Sequence, residues 1–354
     1  MKNLNKYFSE NYSEIEYLQK SIVNVYTSFN EEVKTLKYGV GIHNNTYANI
    51  AKLSGKDSCA LLQRISTNDL DELKDFHYKN TLFLNEKGGL IDRTTILKYE
   101  NVCYLVGSYD EIFRLQRWIE RYTLNEDIKI ENMSGKFLLL QILGLQAESY
   151  LTLICGNKIE ELGNNQLHEI NIEGLKFYLL KKETLKGEKL YWIISDIENS
   201  VEILKYMFSH KSVFDLNMIG EKALLNYKIE NVIPSFPNEI NDFYNPYEAG
   251  LQNEISATKK NYIGYDLIHN IKAEKIIRRK LKKVYIQAFK DVILPMEIFD
   301  EKNNFIGVIT SLIKNEENKF LALCYLENPY FEMEEKLKIK TSNNIKLNME
   351  IKDR

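Results

Sequence analysis

Short apolar stretches separated by turn residues run along most of this chain and predict strands alternating with helices. Apolar side chains at three- and four-residue spacing over residues 17–33 predict a helix near the N-terminus. Residues 38–42 predict a strand entered through glycine. Residues 53–65 predict a strand that turns at Gly55 and becomes a helix capped by Asp57.

The middle of the chain continues this alternation of strands and helices. A Glu-Lys-Gly-Gly turn at residues 86–89 separates a predicted strand at 80–85 from a return strand at 90–99. The other predicted elements are strands at 101–106, 137–145, 166–180 and 190–195, and helices at 109–122, 147–154 and 198–208. This order predicts the α+β class with antiparallel sheets.

From about Leu281 the pattern changes to short strands with turn residues between them and no helical periodicity. The predicted strands lie at 284–289, 296–299, 305–309 and 320–325. Their spacing indicates a small β-barrel or sandwich as a separate module. We therefore predict an α+β region of two interleaved subdomains over residues 1–275 and a C-terminal β-barrel domain over residues 276–354.

Composition excludes several classes of protein. With 354 residues, 44% of them apolar and 27% charged, the chain is typical of a globular protein of two or three domains. A net charge of −3 argues against nucleic acid as a partner. The longest apolar run, residues 137–145, is far shorter than the ~20 residues of a membrane span, and the N-terminus lacks the apolar core of a signal peptide. We predict a cytoplasmic protein without membrane or nucleic-acid partners.

The four cysteines, Cys59, Cys103, Cys155 and Cys324, stand among apolar residues. No two have a metal-ligand spacing such as Cys-x-x-Cys, and the five histidines are scattered. We predict no metal site, with the thiols buried, reduced and acting as small hydrophobic side chains.

A set of short motifs points to a chemistry. The most specific is a Pro-x-Glu-x-Gly-Leu turn at residues 246–251, followed by Lys-x-x-Tyr-Ile-Gly at 259–264. The accompanying blocks are Leu53-Ser-Gly-Lys-Asp57 with Thr67-Asn-Asp69, the hairpin at 82–92, Ile229-Glu230 with Pro234 and Glu239, and Gly307-Val-Ile-Thr-Ser311. In this order the blocks resemble the glycine cleavage T-protein family, which comprises tetrahydrofolate-dependent aminomethyltransferases and their folate-binding relatives.

The resemblance runs from residue 38 to about residue 325. It implies a three-lobed folate-binding fold, with residues 1–275 as the folate-binding region and a C-terminal barrel. It also implies tetrahydrofolate as the cofactor and transfer of an aminomethyl or methyl group in one-carbon metabolism. A small-molecule donor or a lipoyl carrier protein is the partner that it implies.

At the hairpin the resemblance implies the catalytic position. Active aminomethyltransferases carry two adjacent carboxylates there, and one helps to position or deprotonate the reacting nitrogen. This chain has Asp92-Arg93. Asp92 is the candidate catalytic residue, on the opposite strand face from Arg93. Arg93 cannot act as a base. It is either a clamp for an anionic ligand or an ordinary residue of the sheet surface.

Two candidate pterin-binding residues follow the resemblance to a Thr-Gly-Glu-x-Gly-x-Glu strand. Glu188 matches its first acid, but Trp192 replaces its second. A tryptophan can stack on a flat ring yet cannot accept a hydrogen bond, so standard pterin recognition is not expected. The alternative for Trp192 is a plain core residue.

The remaining candidates are Lys228, Tyr262 and the neighbouring Asn261. Lys228 stands where the family places a folate-binding arginine and keeps its positive charge. Asn261 stands where relatives that assist iron–sulfur cluster assembly carry a cysteine, which argues against that role. Tyr262 is a candidate cofactor-binding residue, and the alternative is a structural turn formed with Gly264.

A basic cluster lies at the predicted start of the barrel and consists of Lys275, Arg278, Arg279, Lys280, Lys282 and Lys283. It either steers an acidic ligand or forms a solvated face. Two functions therefore compete. One is a tetrahydrofolate-dependent transferase with a divergent active site. The other is a non-catalytic or repurposed member that binds another anionic ligand or a protein.

Overall fold

The computed structural model describes residues 12–159, 162–163, 165–185, 187–274, 277–290, 292–315, 319–333, 336–341 and 345–351. The strands are β1 (Ser13–Tyr17), β2 (Lys20–Val25), β3 (Val40–Asn44), β4 (Asn49–Ser54), β5 (His77–Leu84), β6 (Leu90–Tyr99), β7 (Val102–Gly107), β8 (Lys129–Asn132), β9 (Phe137–Leu143), β10 (Leu167–Ile172), β11 (Leu175–Glu183), β12 (Lys189–Asp196), β13 (Leu216–Ile219), β14 (Arg279–Gln287), β15 (Met296–Phe299), β16 (Phe305–Lys314), β17 (Lys319–Glu327), β18 (Lys336–Thr341) and β19 (Lys346–Ile351). The α-helices are α1 (Phe29–Tyr38), α2 (Ser58–Ile65), α3 (Arg114–Tyr122), α4 (Ala147–Cys155), α5 (Ser200–Ser209), α6 (Glu221–Glu230) and α7 (Tyr265–Glu274). Short 3-10 helices cover Gly156–Ile159, Ile197–Asn199, Gln252–Glu254 and Tyr330–Glu332.

The strands form two larger sheets, a barrel and a small hairpin. One sheet has the order β10-β11-β12-β9-β3-β13 and the other has the order β5-β6-β7-β4-β8. The β13–β3 pair is parallel, whereas the β10–β11, β11–β12, β12–β9 and β9–β3 pairs are antiparallel. Strands β14-β17-β16-β15-β18-β19 close into a barrel, and β1 pairs with β2. The predicted α+β class with antiparallel sheets and a C-terminal β-barrel is confirmed.

The chain divides into two compact units that are discontinuous in sequence. The first unit takes Met1–Gln63, Leu70–Thr81 and Thr94–Tyr227, and the second takes Arg64–Asp69, Leu82–Arg93 and Lys228–Arg354. The turn end of the β5–β6 hairpin thus belongs to the second unit. The predicted domain division between residues 275 and 276 stays a prediction.

Strand β9 is the centre of the first unit's core. Its side chains alternate between two faces, as a strand requires. Leu138, Leu140 and Ile142 belong to a cluster with buried residues of α4 and α5. Leu139 belongs to a second cluster, which contains Trp192 of β12 and residues of the five-stranded sheet. The continuous apolar run in the sequence reflects this burial on both faces.

Strand β17 has the same double burial in the second unit. One face contributes Phe320, Ala322, Cys324 and Leu326 to the interior of the barrel. On the other face the ring of Tyr325 stacks on Tyr244, with 3.5 Å between the ring centroids. The barrel is therefore tied to the chain that precedes it by buried aromatic contact.

The predicted helix at residues 17–33 is wrong over residues 17–25, and only its last residues, 29–33, are helical. Residues 17–25 belong to the β1–β2 hairpin, whose turn residues Leu18 and Gln19 both have positive φ, as a two-residue hairpin turn of the primed type requires. Helix α1 begins only after Ser28, whose hydroxyl accepts the amide of Glu31 at 3.3 Å. The capping serine and the β-branched residues of β2 outweigh the helical spacing.

Other predicted elements are confirmed with smaller changes. Helix α3 starts at Arg114, not Tyr109, because the carboxylate of Asp110 accepts the Arg114 amide at 2.9 Å and Phe113 is left-handed. The stretch predicted as one strand at 166–180 is the β10–β11 hairpin. Helix α2 follows Asp57 as predicted, but the Asp57 carboxylate is not bonded to the first amides of the helix as the predicted cap requires: it accepts the amide of Asp127 at 2.8 Å.

Candidate functional site

The turn of the β5–β6 hairpin is built by Asn85. Its side-chain oxygen accepts the amides of Lys87 at 2.9 Å and Gly89 at 2.8 Å, and Gly88 has the positive φ that suits glycine. This asparagine-capped turn fixes where β6 begins. It thereby fixes the positions of Asp92, only 4% exposed, and Arg93.

Arg93 is held by a carboxylate of its own chain. Its Nη2 lies 2.5 Å from Oε1 of Glu254, and its Nε lies 2.9 and 3.1 Å from the two carboxylate oxygens. The side chains are 22% and 8% exposed. This is the fork-shaped pairing that arginine makes with carboxylates. The guanidinium that the sequence offered as a clamp for an anionic ligand already clamps Glu254.

Glu254 ends a 3-10 helix that is tied to the segment after α2. Thr67 Oγ1 donates to the carbonyl of Glu254 at 2.8 Å and accepts the amide of Leu82 at 3.0 Å. Lys259 Nζ donates to the carbonyls of Ser66 at 2.6 Å and Asn68 at 2.8 Å. The Thr-Asn-Asp block and the start of the last signature are therefore joined by hydrogen bonds.

The glutamate of the Pro-x-Glu-x-Gly-Leu turn joins that turn to the barrel. Glu248 accepts the Nε of Arg279 on β14 at 3.0 Å and the amide of Asn245 at 3.0 Å. Burial raises the pKa of Glu248, and these two donors oppose the shift. Arg279 also lies over the ring of Tyr244, 4.9 Å from its centroid. This glutamate has a structural role, which the motif alone did not disclose.

Glu239 brings together two further blocks. Its carboxylate accepts the hydroxyls of Thr310 at 2.5 Å and Ser311 at 2.7 Å, and the amide of Ser235 at 3.1 Å. Burial raises the pKa of Glu239 above its ordinary value. These hydrogen bonds and the positive charge of Lys228 oppose that rise without cancelling it. Lys228, half-buried on α6, is thus placed close enough to Glu239 to act on it electrostatically.

Tyr262 and Gly264 form a turn against the hairpin. Gly264 has φ of +82°, and a Cβ added there would lie 2.7 Å from the carbonyl oxygen of Asn85. Tyr262 is buried and meets the ring of Tyr265 edge to face, 5.3 Å between centroids. The alternative given for this pair, a structural turn, accounts for these contacts. Asn261 beside them is exposed.

Glu188 and Trp192 belong to the first unit. Glu188 is exposed and accepts the hydroxyl of Tyr227 at 2.8 Å. Trp192 lies in the core, where its ring contacts the Nζ of Lys182 at 4.0 Å from the ring centroid. Trp192 is therefore a core residue whose ring holds a cation. Its Nε1 has no hydrogen-bond partner among the residues that the structure describes.

Sequence reasoning missed Lys182 and Glu254. Lys182 is buried, donates to Asn80 Oδ1 at 2.8 Å and Thr95 Oγ1 at 2.7 Å, and lies over Tyr78 as well as Trp192. It lies two residues after the buried Leu180 and so on the same face of β11, a signal that can be read only once that inward face is known. Glu254 had no such signal, because its partner is 161 residues away.

Members of the basic cluster contact neighbouring groups. Lys283 pairs with Glu230 at 3.2 Å and Lys280 lies over Phe331 at 4.6 Å. A cleft of about 460 Å³ lies beside them, lined by Val232, Tyr247, Glu248, Gly250, Gln252, Ile277, Lys280, Leu281, Lys282 and Lys283. Lys275 lies outside the described residues.

The described part of the chain holds neither a membrane-spanning helix nor a cluster of metal-ligating side chains. No helix in it is both long and apolar enough to cross a membrane. In the same residues, no three His, Cys, Asp or Glu side chains are grouped so that they could hold a metal ion.

Comparison with known proteins assigns the chain to a family. Residues 5–259 match the family model of the GCVT N-terminal domain. The aminomethyltransferase of Staphylococcus carnosus is 24% identical over 87% of this chain and 84% of its own length, and that of Caldanaerobacter subterraneus subsp. tengcongensis is 27% identical over 72% and 68%. The crystal structure of glycine cleavage system aminomethyltransferase T from Bartonella henselae superposes with a TM-score of 0.80 at 16% identity, covering 96% of this chain and 92% of that one, so the two share a fold. This chain belongs to the GCVT N-terminal domain family, as a divergent member.

Proposed function

We propose that this chain is a tetrahydrofolate-linked one-carbon transferase whose active site has been remodelled. Relatives that cover most of its length are named aminomethyltransferases, and this supports the class of reaction. The structural observation that carries the proposal is the contact between Gly264 and Asn85. This contact joins the last family signature to the hairpin that bears Asp92. It is so close that position 264 has no room for a side chain.

The described residues fit a reduced folate in part. Asp92 remains on the hairpin as a buried carboxylate, suited to hold or accept a proton at the reacting nitrogen. Lys228 keeps a positive charge that suits the carboxylates of a folate tail. Trp192 does not fit the acceptor role at the amino-amide edge, because its Nε1 can only donate. Recognition of the ring must therefore differ from the family's usual arrangement.

Arg93 limits the chemistry further. Its guanidinium stays protonated and is held by both oxygens of Glu254. Arg93 therefore cannot accept a proton. Its paired donors are also not offered to a ligand while the ion pair with Glu254 is intact. The role left for Arg93 is to hold the Glu254 carboxylate beside the hairpin.

A second candidate function is a non-catalytic member that binds a folate or another anion without transfer. The observation that favours it is the same Arg93–Glu254 ion pair. At the position where active relatives have the second acid, this chain has an arginine that is already paired with its own Glu254. The two candidates differ in turnover.

Binding is tested first, by titrating tetrahydrofolate into the full chain by calorimetry and by tryptophan fluorescence. The chain has two tryptophans, Trp118 and Trp192, so the Trp118→Phe variant leaves Trp192 as the single reporter. We expect saturable heat in the micromolar range. Absence of binding at high micromolar folate would refute the first candidate.

Turnover is tested with an aminomethyl-loaded lipoyl carrier protein as donor. The restoring substitution Arg93→Asp must be combined with Glu254→Gln, because an aspartate alone would face the Glu254 carboxylate. Its matched control is Arg93→Met with Glu254→Gln, which removes the same ion pair without adding an acid. We expect slow transfer by the wild type and faster transfer by the aspartate double variant than by its control. Folate binding with no transfer by any of the three proteins would favour the second candidate.

A further inference from the structure

Two cysteines far apart in sequence lie side by side in the first unit. The Sγ atoms of Cys59 and Cys103 are 3.8 Å apart, although 44 positions separate the residues. Cys59 is the second residue of α2, and Cys103 is the second residue of β7. Both are free thiols.

The backbone around both thiols is fixed. Cys103 pairs with Leu53 at the end of β4, and β4 runs through the Gly55 turn into α2. Gly55 has φ of +107°, and a Cβ there would lie 2.1 Å from the carbonyl oxygen of Asp127. The turn that sets the start of α2 therefore has little freedom, and the sulfurs are held near each other by the sheet and the turn together.

The two thiols differ in access. Cys59 is half-buried, whereas Cys103 is 2% exposed. A reagent from solvent therefore meets Cys59 first. The Cys103 sulfur lies 3.8 Å from that of Cys59, and the two must approach to about 2.05 Å to form a disulfide.

We propose that Cys59 and Cys103 form a redox-active dithiol, in which Cys59 reacts with a peroxide and Cys103 then closes an intramolecular disulfide. In the first step the Cys59 thiolate attacks one peroxide oxygen, the O–O bond breaks, and hydroxide leaves. Cys59 becomes a sulfenic acid, oxidised by two electrons, and the peroxide is reduced. In the second step the Cys103 sulfur attacks the Cys59 sulfur, the S–O bond breaks, and the thiol proton leaves with the hydroxyl group as water. A dithiol reductant reverses the change.

The charges around Cys59 support its role as the attacking thiol. The hydrogen bond from the Cys103 thiol lowers the pKa of Cys59 to about 6, helped by the ammonium of Lys98 and by Ser58 and opposed by burial and by Asp75. The same hydrogen bond and burial raise the pKa of Cys103. At pH 7 a thiol of pKa about 6 is mostly thiolate, against a few per cent for an ordinary thiol, but its lower nucleophilicity leaves a rate gain of only about twofold. The resolving partner, and not the rate of the first step, makes this pair distinctive.

The other two cysteines serve as internal controls. Cys155, at the end of α4, is half-buried like Cys59, and Cys324 is fully buried in the barrel. Their different burial lets them report, in the same sample, how fast peroxide reaches thiols outside the Cys59–Cys103 pair.

The test oxidises the purified chain with hydrogen peroxide, blocks the remaining thiols with a maleimide in denaturant so that buried Cys324 is also labelled, and measures the intact mass and the peptide map. We expect two of the four cysteines to escape the maleimide, a cross-linked peptide pair containing Cys59 and Cys103, and full recovery after dithiothreitol. The Cys103→Ser variant should instead accumulate a sulfenic acid on Cys59 that a dimedone probe traps, and Cys59→Ser should show neither product. The wild-type result decides the question even if a variant folds poorly. Overoxidation of Cys59 without the cross-link, or loss of Cys155 as fast as Cys59, would overturn the proposal.

Discussion

The Arg93–Glu254 ion pair makes a sharp prediction about stability. Replacing Glu254 with glutamine keeps the shape of the side chain and removes its charge, which leaves the Arg93 guanidinium without its carboxylate. Arg93 is 22% exposed and Glu254 8% exposed, so water replaces the lost partner poorly. We expect Glu254→Gln to destabilise the second unit.

The magnitude follows from the geometry. Charges about 3.5 Å apart attract by roughly 5 kcal/mol at the effective dielectric constant of about 20 that suits such sites. Removing one partner of a buried pair costs about 3–5 kcal/mol, and the partial exposure of Arg93 places Glu254→Gln near the lower end. Replacing both charges, as in Arg93→Met with Glu254→Gln, removes the uncompensated charge and should cost about 1 kcal/mol. The cycle therefore predicts a coupling free energy of about 2 kcal/mol or more.

Urea unfolding followed by far-ultraviolet circular dichroism measures this cycle. Tryptophan fluorescence serves as a separate control, because Trp118 and Trp192 both belong to the first unit. With a urea slope of about 2 kcal/mol/M, a loss of about 3 kcal/mol lowers the midpoint by about 1.5 M. Additive effects of the two substitutions, or a Glu254→Gln loss below about 0.5 kcal/mol, would show that the pair has no net coupling.

Three further outcomes follow from the described contacts. Gly264→Ala should lower the free energy of unfolding in urea by at least about 2 kcal/mol, because the left-handed strain adds to a clash of the new Cβ with the Asn85 carbonyl oxygen. Gly250→Ala is its control: the new Cβ meets nothing within 4 Å, so only the strain remains and the loss should be about 1 kcal/mol. Burial raises the pKa of Glu239, so this side chain keeps its proton to higher pH in the folded protein than in the unfolded chain. The contribution of Glu239 to stability is therefore full below its ordinary pKa of 4.5 and falls as pH rises above that value. Urea midpoints from pH 4 to 8 should therefore decline less in Glu239→Gln than in the wild type, and an equal decline would contradict this. Lys182→Met should destabilise the first unit by about 1–2 kcal/mol in urea unfolding followed by tryptophan fluorescence, because the cation–π contact and the hydrogen bonds of Lys182 are lost. In the same assay the control Lys189→Met, at an exposed position, should change stability by less than about 0.5 kcal/mol.

The sequence predicted the elements whose signals are local. The turn at residues 86–89 is specified by an asparagine cap and two glycines within five residues, and its strands lie where predicted. The N-terminal segment failed because helical spacing and strand propensity coexist in it. The choice there depends on the two positive-φ turn residues Leu18 and Gln19, which sequence does not mark as such.

The candidate site was less predictable because its contacts are not local. Asp92 and Arg93 were found from a motif, yet what Arg93 does depends on Glu254, which no spacing rule connects to it. Lys182 was readable only after the inward face of β11 was known, since a lysine in a strand is ordinarily a solvated residue. A motif thus located the positions, and only tertiary structure gave their partners.

The Arg93–Glu254 pair also explains how the polar positions can change while the framework stays. An arginine at position 93 without Glu254 would be an uncompensated cation, and Glu254 facing an aspartate would be a repelling pair of acids. Each residue is therefore compatible with the fold because the other is present. A single substitution at either position gives a less stable protein. Backbone contacts such as Gly264 against Asn85 are untouched by these exchanges, because they involve no side chain at all. It follows that loss of activity in Arg93→Asp alone would report instability rather than chemistry, and that the function of this site has to be read from the double variant.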